Sequence, residues 1–311
     1  MPAKDLIEAI GNTPLVELTR LSPKPGVRLF AKLEGHNPTG SLKDRIIKFM
    51  IEDAERSGRI TKDKILLEAT SGNTGISLAM IGRRKGYKVV TVLPENVSEE
   101  RRQLLHIFGA EIIPSDGAKG TNGAIEVAQR MAQDDPRYHM LYQYGNPSNP
   151  KAHYETTGAE IIRDLPEVDV FVAGLGTGGT LMGVGRRLKE HNPSAKVVAV
   201  VPHPEELIQG LRSLEDGFIP PILDLRLLDA RIVIRSRDAF EATRELTEQE
   251  GVFAGISSGA VIRCAQRYAQ RMERGNIVAL LADGGWKYLS TGLWTRDLDE
   301  LAHDIGTKIW W

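Results

Sequence analysis

The sequence predicts an α/β fold built from two largely parallel sheets, each flanked by helices. Three observations carry that prediction. Short β-branched runs alternate with amphipathic helical stretches, the pattern of right-handed βαβ units. The alternation breaks once, at "MLYQYGNPSNP" (140–150), and then restarts, which gives two halves with a seam near residue 147. Glycine-rich turns join strand to helix at "TSGNTG" (70–75) and "GLGTGGT" (174–180).

In the first half "KILLEAT" (64–70) reads as a strand and "ISLAMIGRRKGY" as the helix after it. "KVVTVLP" (88–94) is the next strand, followed by the helix "SEERRQLLHIFG" with Ser98 as its N-cap. "EIIPSD" (111–116) is a strand and 121–133 a helix. In the second half "DVFVAGLG" (169–176) is a strand, "TLMGVGRRLKEHN" a helix, and "KVVAVVP" (196–202) a strand. "RIVIRSR" (231–237), two long helices and "NIVALLAD" (276–283) complete it. Open sheets of this kind bind ligands beyond the carboxyl ends of their strands. Chemistry is therefore expected after Thr70, Gly174, Pro202 and Asp283.

The bulk numbers exclude several classes. The net charge of −1 gives no field to recruit nucleic acid or an anionic membrane, and 41% apolar with 26% charged residues is ordinary for a globular chain. No apolar run is long enough for a signal peptide or a membrane span, so a cytoplasmic location is expected. Cys264 is the only cysteine, which excludes an intrachain disulfide, and its helical setting suggests a packed side chain. The seven histidines form no ligand spacing, and no metal site is expected.

Four loops and one side chain suggest a site. "TSGNTG" leaves backbone N–H groups open at a helix start, suited to a carboxylate or phosphate; a plain turn is the alternative. "GLGTGGT" fits a dinucleotide fingerprint, but the next strand ends in Pro202 without a ribose-binding acid. A single phosphate cradled by Gly176, Thr177, Gly178, Gly179 and Thr180 fits better. In "NPTGSLKDR" (37–45) a helix is expected to begin near Ser41, placing Lys43 in its first turn. A cation there opposes the helix dipole, and a disfavoured charge makes the amine a better nucleophile and base. In "GISSGA" (255–260), Ser257 or Ser258 is either an N-cap or a neutral hydroxyl for a heterocyclic nitrogen. Gln143 is a candidate polar contact at the seam.

With "IGNTPL" and "GWKYLSTG" (285–292), these motifs resemble, in order and over nearly the whole chain, those of cysteine synthases. The resemblance implies a pyridoxal 5'-phosphate enzyme of fold type II, tryptophan synthase β-like. It implies a smaller mobile domain over 36–147, a larger cofactor-anchoring domain over 1–35 and 148–298, and a tail over 299–311. Lys43 matches the Schiff-base lysine, Asn73 the amide on the cofactor's ring hydroxyl, Gly176 to Thr180 the phosphate loop, and Ser257 the partner of the ring nitrogen. Thr70, Ser71, Asn73, Thr74 and Gln143 match the groups around the substrate carboxylate. The implied reaction eliminates the β-substituent of an activated serine to an aminoacrylate and then adds sulfur to give L-cysteine.

The chain departs from the O-acetylserine type at "GLRSLEDGF" (210–218), where that type has a short glycine-rich stretch. It looks most like the branch of the cysteine synthase B type that uses O-phosphoserine, in which Arg212 matches the arginine for the substrate phosphate. A guanidinium fork suits a dianionic phosphate and gains little from an acetyl ester. An arginine paired with Glu215 or Asp216 is the alternative. That branch implies a homodimer and a ubiquitin-like sulfur-carrier protein as partner. The terminal Trp310 and Trp311 either fold over the cleft or pack on a dimer surface.

Overall fold

Among the residues that the computed structural model describes (2–70, 72–97, 99–215 and 217–301), ten strands form two sheets. The larger contains β1 (Leu15–Glu17), β2 (Val27–Leu33), β7 (Val170–Gly174), β8 (Lys196–Pro202), β9 (Ala230–Ile234) and β10 (Gly275–Leu281). Its order is β1-β2-β10-β7-β8-β9, and only β1 runs antiparallel to its neighbour. The smaller sheet contains β3 (Ile65–Ala69), β4 (Lys88–Pro94), β5 (Glu111–Ser115) and β6 (Tyr138–Met140), in the order β5-β4-β3-β6 and all parallel.

Each sheet is covered on both faces, which explains why its central strands read as unbroken apolar runs. Successive residues point to opposite faces. Val170 and Val172 of β7 therefore pack under α8 (Ser236–Glu250) and α9 (Ile256–Ala269), with Phe240, Leu246 and Ile262. Phe171 and Ala173 pack on the other side against Ile161 of α6 (Gly158–Asp164) and Leu181 and Val184 of α7 (Gly179–His191). In the smaller sheet Leu66 and Val89 meet α1 (Lys43–Arg56) and α2 (Asn73–Arg84) through Ile46, Met50 and Ile81. Leu67 and Val90 meet Ala124 and Ala128 of α4 (Gly120–Asp134). The two remaining helices are α3 (Glu99–Ile107) and α5 (Ser148–Ala152), the latter joined to α6 by a π-helical turn, His153–Thr157.

Several boundaries differ from the sequence reading. β2 carries Arg28 and Lys32, which hide its strand character; Lys32 is fully buried and paired with Glu160 at 2.8 Å. The short β1 and β6 and the helical stretch 148–164 also go unmarked by periodicity. The strand expected over 169–176 stops at Gly174, where the chain turns into the glycine loop, and that expected over 231–237 yields to α8 at Ser236. α1 begins at Lys43 rather than near Ser41, because Ser41 bridges to Asp283 instead. Cys264 is fully buried as expected, and burial pushes its thiol up to about 12. Ser98, Asp216, Trp310 and Trp311 lie outside the described residues. No described helix is long and apolar enough to cross a membrane.

Candidate active site

The carboxyl ends of β3, β7 and β10 and the segment after β8 converge on one cavity. Its wall includes Lys43, Thr70, Asn73, Thr74, Gln143, Gly176, Thr177, Gly178, Thr180, Arg212 and Ser257. Eleven residues chosen from loops far apart in sequence thus share one space. Gly179 stands just behind the wall, and Ser71 lies outside the described residues.

Lys43 is held by its backbone. The Leu42 N–H donates to the Ala282 carbonyl at 2.9 Å, Ser41 bridges to Asp283, and the Gly284 N–H donates to the Gly40 carbonyl at 3.1 Å. The turn before α1 is thereby stitched to the end of β10. The next residue, Asp44, is fully buried and accepts from Thr39 N–H at 2.8 Å and Ser77 Oγ at 2.6 Å, so it is not a surface partner for Lys43. Burial pulls the Lys43 ammonium down to about 8, against the opposing pull of the Asp283 carboxylate.

The glycine loop forms a cup at the start of α7. Gly178 is the N-cap, in the left-handed region at φ +87°, where a side chain would be strained. The N-cap itself makes no side-chain bond and no acid lies in the first turn; only the Gly179 N–H meets a side chain, Thr177 Oγ1 at 3.4 Å, so the helix start suits an anion. A Cβ on Gly179 would lie 1.8 Å from Asn149 Oδ1. Behind the cup, Asn149 Nδ2 donates both to Thr177 Oγ1 at 3.0 Å and to the Gln143 carbonyl at 2.9 Å. His153 Nε2 lies 3.2 Å from Thr180 Oγ1, with its Nδ1 3.0 Å from Thr157 Oγ1. Burial holds that imidazole well below its usual range, hence neutral.

Ser257 is not the cap of α9: the N-cap position belongs to Gly255, and Ser257 presents a buried hydroxyl to the cavity. Gln143 is tied to the smaller-sheet side of the cavity. Its Oε1 accepts from Thr74 Oγ1 at 2.8 Å, and its N–H donates to the buried Glu68 carboxyl at 3.3 Å.

Sequence reasoning missed a buried chain beside Asn73. Lys287 Nζ donates to Asn73 Oδ1 at 2.6 Å, and Asn73 Nδ2 donates to Asp283 Oδ2 at 2.6 Å. Tyr288 OH donates to the same carboxylate oxygen at 2.6 Å. Burial pulls Lys287 down to about 8 and pushes Tyr288 well above its usual range. The "GWKYLSTG" motif was the available signal for Lys287 and Tyr288, but nothing in it points to Asn73.

Arg212 enters from the segment after β8. Gly210, at φ +85°, turns the chain so that the Arg212 N–H donates to the Leu175 carbonyl at 2.7 Å. The guanidinium lies over the rings of Phe218, at 4.7 Å, and Tyr144, at 5.3 Å, with Asn122 Oδ1 at 3.5 Å. Stacking on two rings helps to hold the planar group at the cavity's wall.

Known proteins are similar to this chain in sequence and in fold. The sequence pattern of the pyridoxal-phosphate dependent enzyme family matches residues 6–283. A cysteine synthase of Aquifex aeolicus is 43% identical over 300 residues, covering 93% of this chain and 92% of its own. Cysteine synthase B of Salmonella typhimurium is 42% identical over 293 residues, covering 94% and 96%. The crystal structure of a cysteine synthase (OASS) from Entamoeba histolytica superposes with a TM-score of 0.90 at 35% identity, over 99% of this chain and 97% of that one. The chain belongs to the family of pyridoxal-phosphate-dependent enzymes, alongside the cysteine synthases.

Proposed function

We propose that this chain makes L-cysteine from O-phospho-L-serine and a sulfur nucleophile, with pyridoxal phosphate as cofactor. The observation that carries the choice of substrate is Arg212, a stacked guanidinium on the wall of the cavity that contains Lys43.

The residues fit the cofactor. The acid-free start of α7 suits its phosphate, and the buried Ser257 hydroxyl suits a ring nitrogen that is to stay uncharged. Asn73 has one amide hydrogen beyond its bond to Asp283, which suits the ring hydroxyl. Lys43 offers the amine. When bound, the cofactor supplies an electron sink for breaking bonds at the α- and β-carbons of an amino acid.

The protein's own groups do the rest. A Lys43 amine with a pKa near 8 is basic enough to take the α-proton and acidic enough to return it near neutral pH. Thr70, Ser71, Asn73, Thr74 and Gln143 hold the α-carboxylate. Arg212 holds the β-phosphate and directs it toward the mouth. The sulfur donor is sulfide or the thiocarboxylated tail of a ubiquitin-like carrier protein. The working form is a homodimer in which 36–147 moves as the smaller domain over 1–35 and 148–298.

The likeness to the Entamoeba enzyme favours a second reading, O-acetyl-L-serine as substrate. The two are separated by kcat/KM for both substrates in wild type and Arg212→Ala. A charged hydrogen bond is worth about 1.5–3 kcal/mol, so the variant loses about ten- to a hundredfold on O-phospho-L-serine. It stays within about threefold on O-acetyl-L-serine, which has no charge there to lose. Equal loss on both substrates, or no loss on either, contradicts the phosphate role.

A further inference from the structure

A second guanidinium, carried by a different element, lines the same cavity. Arg101 stands on α3, packed with the smaller sheet, whereas Arg212 follows β8 of the larger. An ideal Cβ on Gly72 would lie 3.5 Å from Arg101 Nη1, so the guanidinium rests on the turn that opens α2. Its Nη2 donates to Gln209 Oε1 at 3.0 Å, and Gln209 is itself buried, three residues before Arg212.

That pairing is chemically incomplete. Gln209 is neutral, and among the described residues Arg101 has no carboxylate partner. A half-buried cation facing only an amide pays for its lost hydration without an opposite charge, and an anion entering the cavity supplies one. Beside Lys43, which the cofactor takes up, the cavity wall carries two guanidinium groups, Arg101 and Arg212. Such a wall suits a substrate with a charge beyond its own carboxylate. A phosphate monoester carries nearly two negative charges at neutral pH and three terminal oxygens, more than one guanidinium fork can satisfy.

We propose that Arg101 is a second binding residue for the phosphate of O-phospho-L-serine, reaching it from α3 while Arg212 reaches it from the segment after β8. Gln209 is then the neutral rest that keeps Arg101 at the cavity between turnovers. This rests on the O-phosphoserine reading and sharpens it: the substrate phosphate bridges the two halves of the molecule.

The test uses the cofactor-loaded enzyme and two readouts. Inorganic phosphate binding is measured by titration calorimetry, and kcat/KM is measured for O-phospho-L-serine and O-acetyl-L-serine. Arg101→Gln weakens phosphate binding about tenfold or more and lowers kcat/KM for the phosphate ester to a similar degree, leaving the acetyl ester within about threefold. Arg101→Lys recovers part of the loss, because it restores charge without the fork. Gln209→Leu keeps phosphate affinity within about twofold, because it removes only the rest position. The proposal is overturned if Arg101→Gln leaves phosphate affinity unchanged or lowers both esters equally. It is also overturned if Gln209→Leu reproduces the Arg101→Gln loss, since Arg101 is then a strut between the halves. Failure of Arg212→Gln to alter phosphate selectivity overturns the underlying substrate reading. Selectivity lost in Arg212→Gln but kept in Arg101→Gln overturns this inference alone.

Discussion

The cup at 174–180 and the rim at 203–218 face one cavity but are built in opposite ways. The cup is braced from behind: Asn149 ties Thr177 to the Gln143 backbone, His153 meets Thr180, and Gly179 has no room for a methyl group. The rim is anchored away from the cavity, where Glu206 accepts from the Ser236 N–H and Ile208 and Leu211 are buried in the core, and it presents to the cavity single side chains: Gln209 bonded to Arg101, and a guanidinium stacked on two rings. A dense brace fixes a group that must sit identically in every turnover. A rim that offers single side chains to the cavity lets those side chains select among substrates. On the proposed function, the cup holds the cofactor and the rim selects the substrate.

The contrast breaks most visibly at Gly179. A Cβ there would overlap the Asn149 amide, whose two bonds leave it no alternative place. Gly179→Ala is expected to cost about 1–3 kcal/mol of packing and to weaken cofactor binding tenfold or more in an absorbance titration. Arg212→Ala, on the rim, is expected to leave cofactor affinity within about twofold. Equal effects at the two positions would dissolve the distinction between cup and rim.

Glu68, between the two regions and beneath Gln143, gives a smaller and pH-dependent effect. Burial pushes its carboxyl up to about 8, opposed by the N–H groups of Gln143 and Ala69. The folded state then keeps a proton between 4.5 and 8 that the unfolded chain releases, so stability falls as pH rises through that window. Glu68→Gln removes this dependence. Denaturant midpoints at pH 5 and pH 8 should converge in the variant, with a gain at pH 8 of up to roughly 4 kcal/mol. Parallel pH profiles for variant and wild type would contradict it.

How much of this the sequence discloses follows from where each constraint acts. The cup is legible because its requirements are local: a strand end, a left-handed Gly178 and an acid-free helix start all fall within one short motif. Lys43 is legible from its place at a helix start, although burial against the end of β10 is the largest cause of its lowered pKa. The chain through Lys287, Asn73 and Asp283 is not legible, because it joins residues more than two hundred positions apart. β2 is obscured for a related reason: its buried Lys32 looks like a surface residue until Glu160 is placed beside it. Nothing in the sequence singles out Arg101 within its helix, and only the folded cavity brings it to the same wall as Arg212.

The account depends above all on Lys43 as the cofactor's attachment point and the reaction's base. The most direct measurement is uptake of pyridoxal phosphate by the cofactor-free protein, followed by visible absorbance, in wild type and Lys43→Ala across pH. The neutral amine is the reactive form, so the uptake rate of wild type should rise with pH through about 8 and then level off. Lys43→Ala should show neither that absorbance nor cysteine formation. A wild type that stays colourless, or a Lys43→Ala variant that keeps both the absorbance and the activity, would contradict the account.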